Sequence, residues 1–124
     1  MRMFASGSFA IARNKLASAR GETDRLAIST VALFELRFGA ENSASPSYHH
    51  ELMDDFVGHL HVLQFGEAAA HSGEIRAALA RSGNLIGPYD LLIAGHARSA
   101  GLKLVTGNLR EFSKVDGLRC EGWI

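Results

Sequence analysis

The chain has 124 residues, with thirteen basic and thirteen acidic side chains and therefore no formal net charge. This length suits one domain with one core, and 47% hydrophobic against 21% charged residues excludes a disordered or fibrous chain. The single cysteine, Cys120, excludes an intrachain disulfide and a cysteine zinc cluster, and the charge balance argues against a broad basic face for nucleic acid while leaving room for an enzyme that meets it in a narrow cleft.

The first twenty residues carry Arg2, Arg13, Lys15 and Arg20 but no acid. That composition has the flavour of a transit peptide, but a short strand followed by a solvated helix is the preferred reading. Residues 3–12 are mixed apolar and small and predict a weak first strand, and residues 13–20 predict a helix. Residues 21–24 form a polar turn. Leu26-Ala27-Ile28 reads as a short buried strand, after which Ser29 or Thr30 can cap a helix through Phe38 that ends near residues 39–42. Ser45-Pro46 opens another helix, with proline at the first helical position, and Leu52, Met53, Phe56, Val57 and Leu60 give it an apolar stripe. Residues 62–65 predict a strand, and residues 67–82 a helix stopped by Gly83. Gly87-Pro88 opens a helix to Ala100. Residues 102–106 are the clearest strand, residues 108–112 a loop or single turn, and residues 118–123 a last short strand.

Strands alternating with helices predict an α/β fold, a parallel central sheet with helices on both faces, in a single domain over residues 1–124. No apolar run approaches the roughly 20 residues of a membrane-spanning helix. With a lone thiol and no secretory signal, the cytoplasm is the expected location. In such sheets function collects at the carboxyl ends of the strands, so the residues after Ile28, Phe65 and Val105 are the ones to read.

Glu35 stands beside a helical stripe formed by Val31, Ala32 and Phe38. Burying a bare carboxylate is costly without a cation or hydrogen bonds. A glutamate at the stripe's rim and a functional acid are equally good readings. Asp90 falls in the first turn of its helix, where the helix dipole favours a carboxylate, yet its face continues through Ile93, Ala94 and Ala97. By position alone, a structural role is the better reading of Asp90. Thr106-Gly107-Asn108 follows the best strand and can orient a water or a ligand, although the same residues make an ordinary turn. Arg110 and Glu111 lie one short turn further on. The six histidines lack the i, i+4 pairing of a helical zinc site and read as surface or internally satisfied groups.

Three segments then carry a resemblance. Ala27-Ile28-Ser29-Thr30-Val31-Ala32-Leu33-Phe34-Glu35-Leu36-Arg37-Phe38-Gly39-Ala40 resembles the second block of PIN-domain toxins of the VapC type. Ile86-Gly87-Pro88-Tyr89-Asp90-Leu91-Leu92-Ile93-Ala94-Gly95-His96-Ala97 resembles their third block, and Leu104-Val105-Thr106-Gly107-Asn108-Leu109-Arg110-Glu111-Phe112 their fourth, with Gly117 to Trp123 as a closing strand. The resemblance spans nearly all of residues 26–124. It implies a PIN-like three-layer sandwich and a magnesium- or manganese-dependent endoribonuclease that acts on RNA, pairs with a VapB-type antitoxin and forms a homodimer. It implies Glu35, Asp90 and Asn108 as metal ligands, Thr106 as the residue that orients them, and Glu111 as a weaker neighbour. Arg76, Arg81 and Arg110 would contribute to RNA specificity or be solvated helix faces.

The family's first strand ends in Leu-Asp-Thr-Asn, and that aspartate is a principal metal ligand. Here Met3-Phe4-Ala5-Ser6-Gly7-Ser8-Phe9 stands in its place, and no acid precedes Glu22. The start therefore reads as shortened, and the expectation is a ribonuclease with weak metal binding and impaired activity. The competing expectations are a PIN-fold binding module that no longer cuts RNA but keeps antitoxin binding or self-association, and a misplaced or frameshifted start.

Overall fold

The computed structural model describes residues 1–5 and 26–122. The readings for residues 6–25, including the atypical first motif at Ser6 to Ser8 and the helix over 13–20, lie outside the described residues, as does Trp123. Five strands, β1 (Arg2–Phe4), β2 (Leu26–Ser29), β3 (His61–Leu63), β4 (Lys103–Thr106) and β5 (Cys120–Gly122), form one sheet in the order β3-β2-β1-β4-β5. Every pairing is parallel. Helices α1 (Thr30–Glu41) and α2 (Pro46–Val57) connect β2 to β3, helices α3 (Ala68–Ser82) and α4 (Pro88–Ala100) connect β3 to β4, and the single turn α5 (Leu109–Phe112) precedes β5.

The pleat shows the three layers. Phe4 and Ile28 are register partners on adjacent strands and so point to one face. On that face Phe4 packs edge-on against Phe56 of α2, with ring centroids 5.6 Å apart. Ser29, one residue out of phase with Ile28, points to the other face and meets His96 of α4. Right-handed crossovers require the same arrangement, because the chain moves outward from β2 to β3 and then back past β1 to β4. Met3, Phe4, Ile28, Ile93, Leu104 and Val105 are almost wholly buried and form the centre of the core.

The helix boundaries follow the local signals. Ser29 caps α1 by accepting a hydrogen bond from the Val31 amide at 3.0 Å. Pro46 and Pro88 open α2 and α4. Gly83 and Gly101 close α3 and α4 in the left-handed conformation, with φ of 74° and 68°. Gly95 of α4 lies against α3 so closely that a Cβ there would sit 1.9 Å from Ser72 Oγ.

Strands β3 and β5 are shorter than expected. β3 is His61–Leu63, not 62–65. The Gln64 carbonyl turns to His96, and the Phe65 ring packs edge-on against the same imidazole, 5.7 Å between centroids, so both leave the ladder. β5 is Cys120–Gly122, because Gly117 at φ 78° and the Leu118 amide, bonded to the Val115 carbonyl, are still in the turn. Among the described residues no helix is long and apolar enough to cross a membrane.

Candidate active site

The carboxyl edge of the sheet gathers the acids. α1 starts where β2 ends and carries Glu35 in its second turn. α4 brings its first turn, with Asp90, to the same edge. β4 ends at Thr106, and the turn after it carries Asn108 and Glu111. Thr106 is buried, and its hydroxyl oxygen accepts the Asn108 amide at 2.8 Å, which closes the turn and leaves the Asn108 side chain exposed at the head of α5.

Asp90 reports on its neighbours. An acid in the first turn of a helix is ordinarily favoured by the dipole, by about 0.3–1 kcal/mol. Yet its carboxyl lies above the usual value of 3.8, first because burial penalises its charge, then because the Glu35 and Glu111 carboxylates are near enough to repel it. Burial and like charge therefore outweigh the helix terminus. Three acids from three separate elements share one electrostatic neighbourhood. Glu111 has a further feature: its Oε2 is buried without a hydrogen-bond partner, and the Lys114 ammonium stands off at 3.6 Å. A site of one or two of these carboxylates with several waters would suit magnesium. It is no all-protein cage: among the described residues no group of three or more His, Cys, Asp or Glu side chains could hold a metal ion.

The structure thus brings Glu35 and Asp90 into one cluster and sets Thr106 and Asn108 on the strand end beside Glu111. Glu111, expected only as a weaker neighbour, is close enough to act on Asp90. The signal was its spacing: three positions after Asn108 on a single turn, it returns to the same side.

A buried network holds the two acid-bearing helices in place. His96 of α4 is 4% exposed, and its Nδ1 lies 2.7 Å from Ser29 Oγ. The ring's other nitrogen bonds to the Gln64 carbonyl, which can only accept, so that nitrogen carries the hydrogen. Burial pushes the imidazole below its ordinary pKa of 6.5, and the Gln64 bond offsets this only in part. In the neutral ring Nδ1 is then bare and accepts the Ser29 hydroxyl, while the Ser29 oxygen accepts the Val31 amide. The other described histidines are surface or satisfied groups as expected: His50 meets Arg37 and Glu41, and His71 accepts from Arg98.

Comparison with known proteins gives this arrangement its class. The profile of the PIN domain family matches residues 4–118, and the chain belongs to that family. Within it, the chain is of the VapC type. It is 49% identical over 102 residues to the tRNA(fMet)-specific endonuclease VapC of Salmonella typhimurium, covering 82% of this chain and 77% of the relative. It is 48% identical over 116 residues to the protein of the same name from Shigella flexneri, covering 90% and 88%. Among solved structures, VapBC2 from Rickettsia felis bound to a DNA fragment from its promoter superposes with a TM-score of 0.89 at 30% identity, and DNA-bound VapBC from Salmonella typhimurium with 0.87 at 41%. Both superpositions cover 100% of each chain.

Proposed function

We propose that this chain is the toxin half of a VapBC pair, a magnesium-dependent endoribonuclease in which Glu35 and Asp90 hold the cation and manganese can replace it. The observation that carries the proposal is the convergence of Glu35, Asp90 and Glu111 from three elements on the carboxyl edge, where burial first and the neighbouring Glu35 and Glu111 charges second raise the Asp90 carboxyl, a cost that a divalent cation would relieve. When bound, such an ion supplies charge stabilisation at a phosphodiester and an acidified water. The chain's own residues do the rest. Glu35 and Asp90 fix the position of that charge. The orphaned Glu111 oxygen is a further donor or a proton acceptor. Asn108 offers a carboxamide to the ion or to a phosphate oxygen, and the Thr106 hydroxyl fixes the backbone from which it projects. No acid precedes Glu22, so the site has one acid fewer than the family pattern, and weak metal affinity with reduced turnover is the expected consequence.

The relatives support a partner protein for this chain. Those of Rickettsia felis and Salmonella typhimurium are solved as VapBC complexes, and we infer a VapB-type antitoxin for this chain, together with self-association into a homodimer. The test is cleavage of RNA with magnesium, with chelator, and by Asp90→Ala. Magnesium-dependent cleavage that Asp90→Ala abolishes is expected, and cleavage that survives the substitution would remove the proposed site.

A second reading has its own support. Because no three His, Cys, Asp or Glu side chains among the described residues stand close enough to hold a metal, a module that binds antitoxin without cutting RNA also fits. Co-purification with a VapB-type protein, with equal inactivity of the unmodified chain and Asp90→Ala, would favour it.

A further inference from the structure

The helices that supply the acids also supply two aromatic rings. Phe34 precedes Glu35 on α1, and Tyr89 precedes Asp90 on α4. The helices are in step: each ring stands one position before its acid, and Phe34 meets Tyr89 edge-to-face with centroids 5.5 Å apart and planes at 61°. Neither ring serves the core, for Phe34 is 53% exposed and Tyr89 46%. An edge-to-face pair uses one ring's edge and the other's face, and at these exposures ring surface remains open to water beside the acids.

We propose that Phe34 and Tyr89 form a stacking platform for a base of single-stranded RNA next to the phosphodiester that the acids address. The proposal rests on the ribonuclease reading above and adds how the substrate is gripped. The charge balance of the chain favours it. With thirteen bases against thirteen acids there is no excess of cations to hold a polyanion, and the local acids repel phosphate until a cation is bound. Stacking on aromatic rings supplies affinity without positive charge, and every base has a face to offer. Unstacked bases occur in loops and ends, so the platform selects single-stranded segments over duplex. Phe38, one turn further along α1 and 64% exposed, extends the apolar strip. It leaves a protein contact on this face as the rival outcome.

The test uses the full chain and short oligoribonucleotides carrying 2-aminopurine at each position in turn. Fluorescence quenching at one or two adjacent positions is expected, and its loss in Phe34→Ala/Tyr89→Ala. Both rings are exposed, so the double variant should fold as the parent does. RNA affinity should fall roughly 5- to 150-fold in that variant, and the loss should persist at high salt. An abasic nucleotide at the quenched position should weaken the unmodified chain by a similar factor and leave the double variant unaffected, since the two changes remove one contact. Unchanged affinity of the double variant, or losses that multiply, would overturn the platform. So would unchanged RNA binding with loss of self-association or of antitoxin binding, which would assign the rings to a protein interface. Failure of the ribonuclease reading is separate: it appears as cleavage indifferent to Asp90→Asn, and the binding arms still decide the stacking. A chain that binds no RNA overturns both.

Discussion

Ser29 and His96 lie 67 positions apart and share a 2.7 Å hydrogen bond in the buried layer between the sheet and α4. One hydroxyl caps the helix that carries Glu35 and fixes the imidazole on the helix that carries Asp90. The Ser29 oxygen is thus a joint between the two acid-bearing elements.

Ser29→Ala removes the cap of α1, at about 1 kcal/mol, and leaves the buried Nδ1 of His96 without a donor, at about 1–3 kcal/mol. A loss of about 2–4 kcal/mol in chemical denaturation is expected. His96→Phe keeps the ring volume but strands the Ser29 hydroxyl and the Gln64 carbonyl, and should cost about 1–3 kcal/mol.

His96 also sets a pH dependence. Its folded-state pKa is below 6.5, so between the two values the unfolded chain binds the proton and the folded chain does not. The neutral network's contribution is therefore full above about pH 6.5 and is lost as pH falls toward the folded value. Denaturation midpoints measured from pH 7.5 down to 5 should decline in the unmodified chain, and His96→Phe should flatten that part of the slope.

Asp90 runs the other way. Its carboxyl is raised above 3.8, so the folded chain keeps a proton that the unfolded chain has lost, and stability falls as pH rises from 3.8 through the folded value. Above that window the charge is a constant cost. Asp90→Asn should therefore raise the melting temperature of the metal-free protein at neutral pH, with the difference fading toward pH 3–4. The same substitution should reduce RNA cleavage by at least about 100-fold, since a bound metal ion is worth several kcal/mol at the transition state.

Gly95 tests the seating of α4. A Cβ there would meet Ser72 Oγ at 1.9 Å and the Ser72 amide nitrogen at 2.6 Å. The hydroxyl can rotate away but the backbone cannot, so α3 and α4 must separate. Gly95→Ala should cost about 3 kcal/mol despite the better helix propensity of alanine, and calorimetry would register it as a large drop in melting temperature. Gly73→Ala, with nothing within 4 Å of its Cβ, is the control and should be neutral or stabilising.

The layered fold was legible because helix and strand signals were local: the Ser29 cap, prolines at 46 and 88, glycines at 83 and 101, and apolar runs at Leu26 and Leu104. The end of β3 was not, since Phe65 is apolar enough to continue a strand and only the position of the His96 ring, 31 residues later in sequence, shows why it leaves. Glu35 and Asp90 had reasonable structural explanations taken singly. Their coupling is a property of two helices meeting over the sheet edge, which periodicity within either helix does not contain. Glu111 stayed in the background for the same reason: its value lies in an orphaned oxygen and in its reach to Asp90. The role of His96 was hidden because a lone histidine on a helix carries no pattern.

The proposed role of the acids at the carboxyl edge is to hold one divalent cation. Calorimetric titration of magnesium into the unmodified chain, Glu35→Gln and Asp90→Asn tests it most directly. One weak site in the unmodified chain, a rise in its melting temperature with added magnesium, and loss of both in each variant are expected. Equal magnesium binding by all three proteins, or none by the unmodified chain at concentrations that support RNA cleavage, would contradict it.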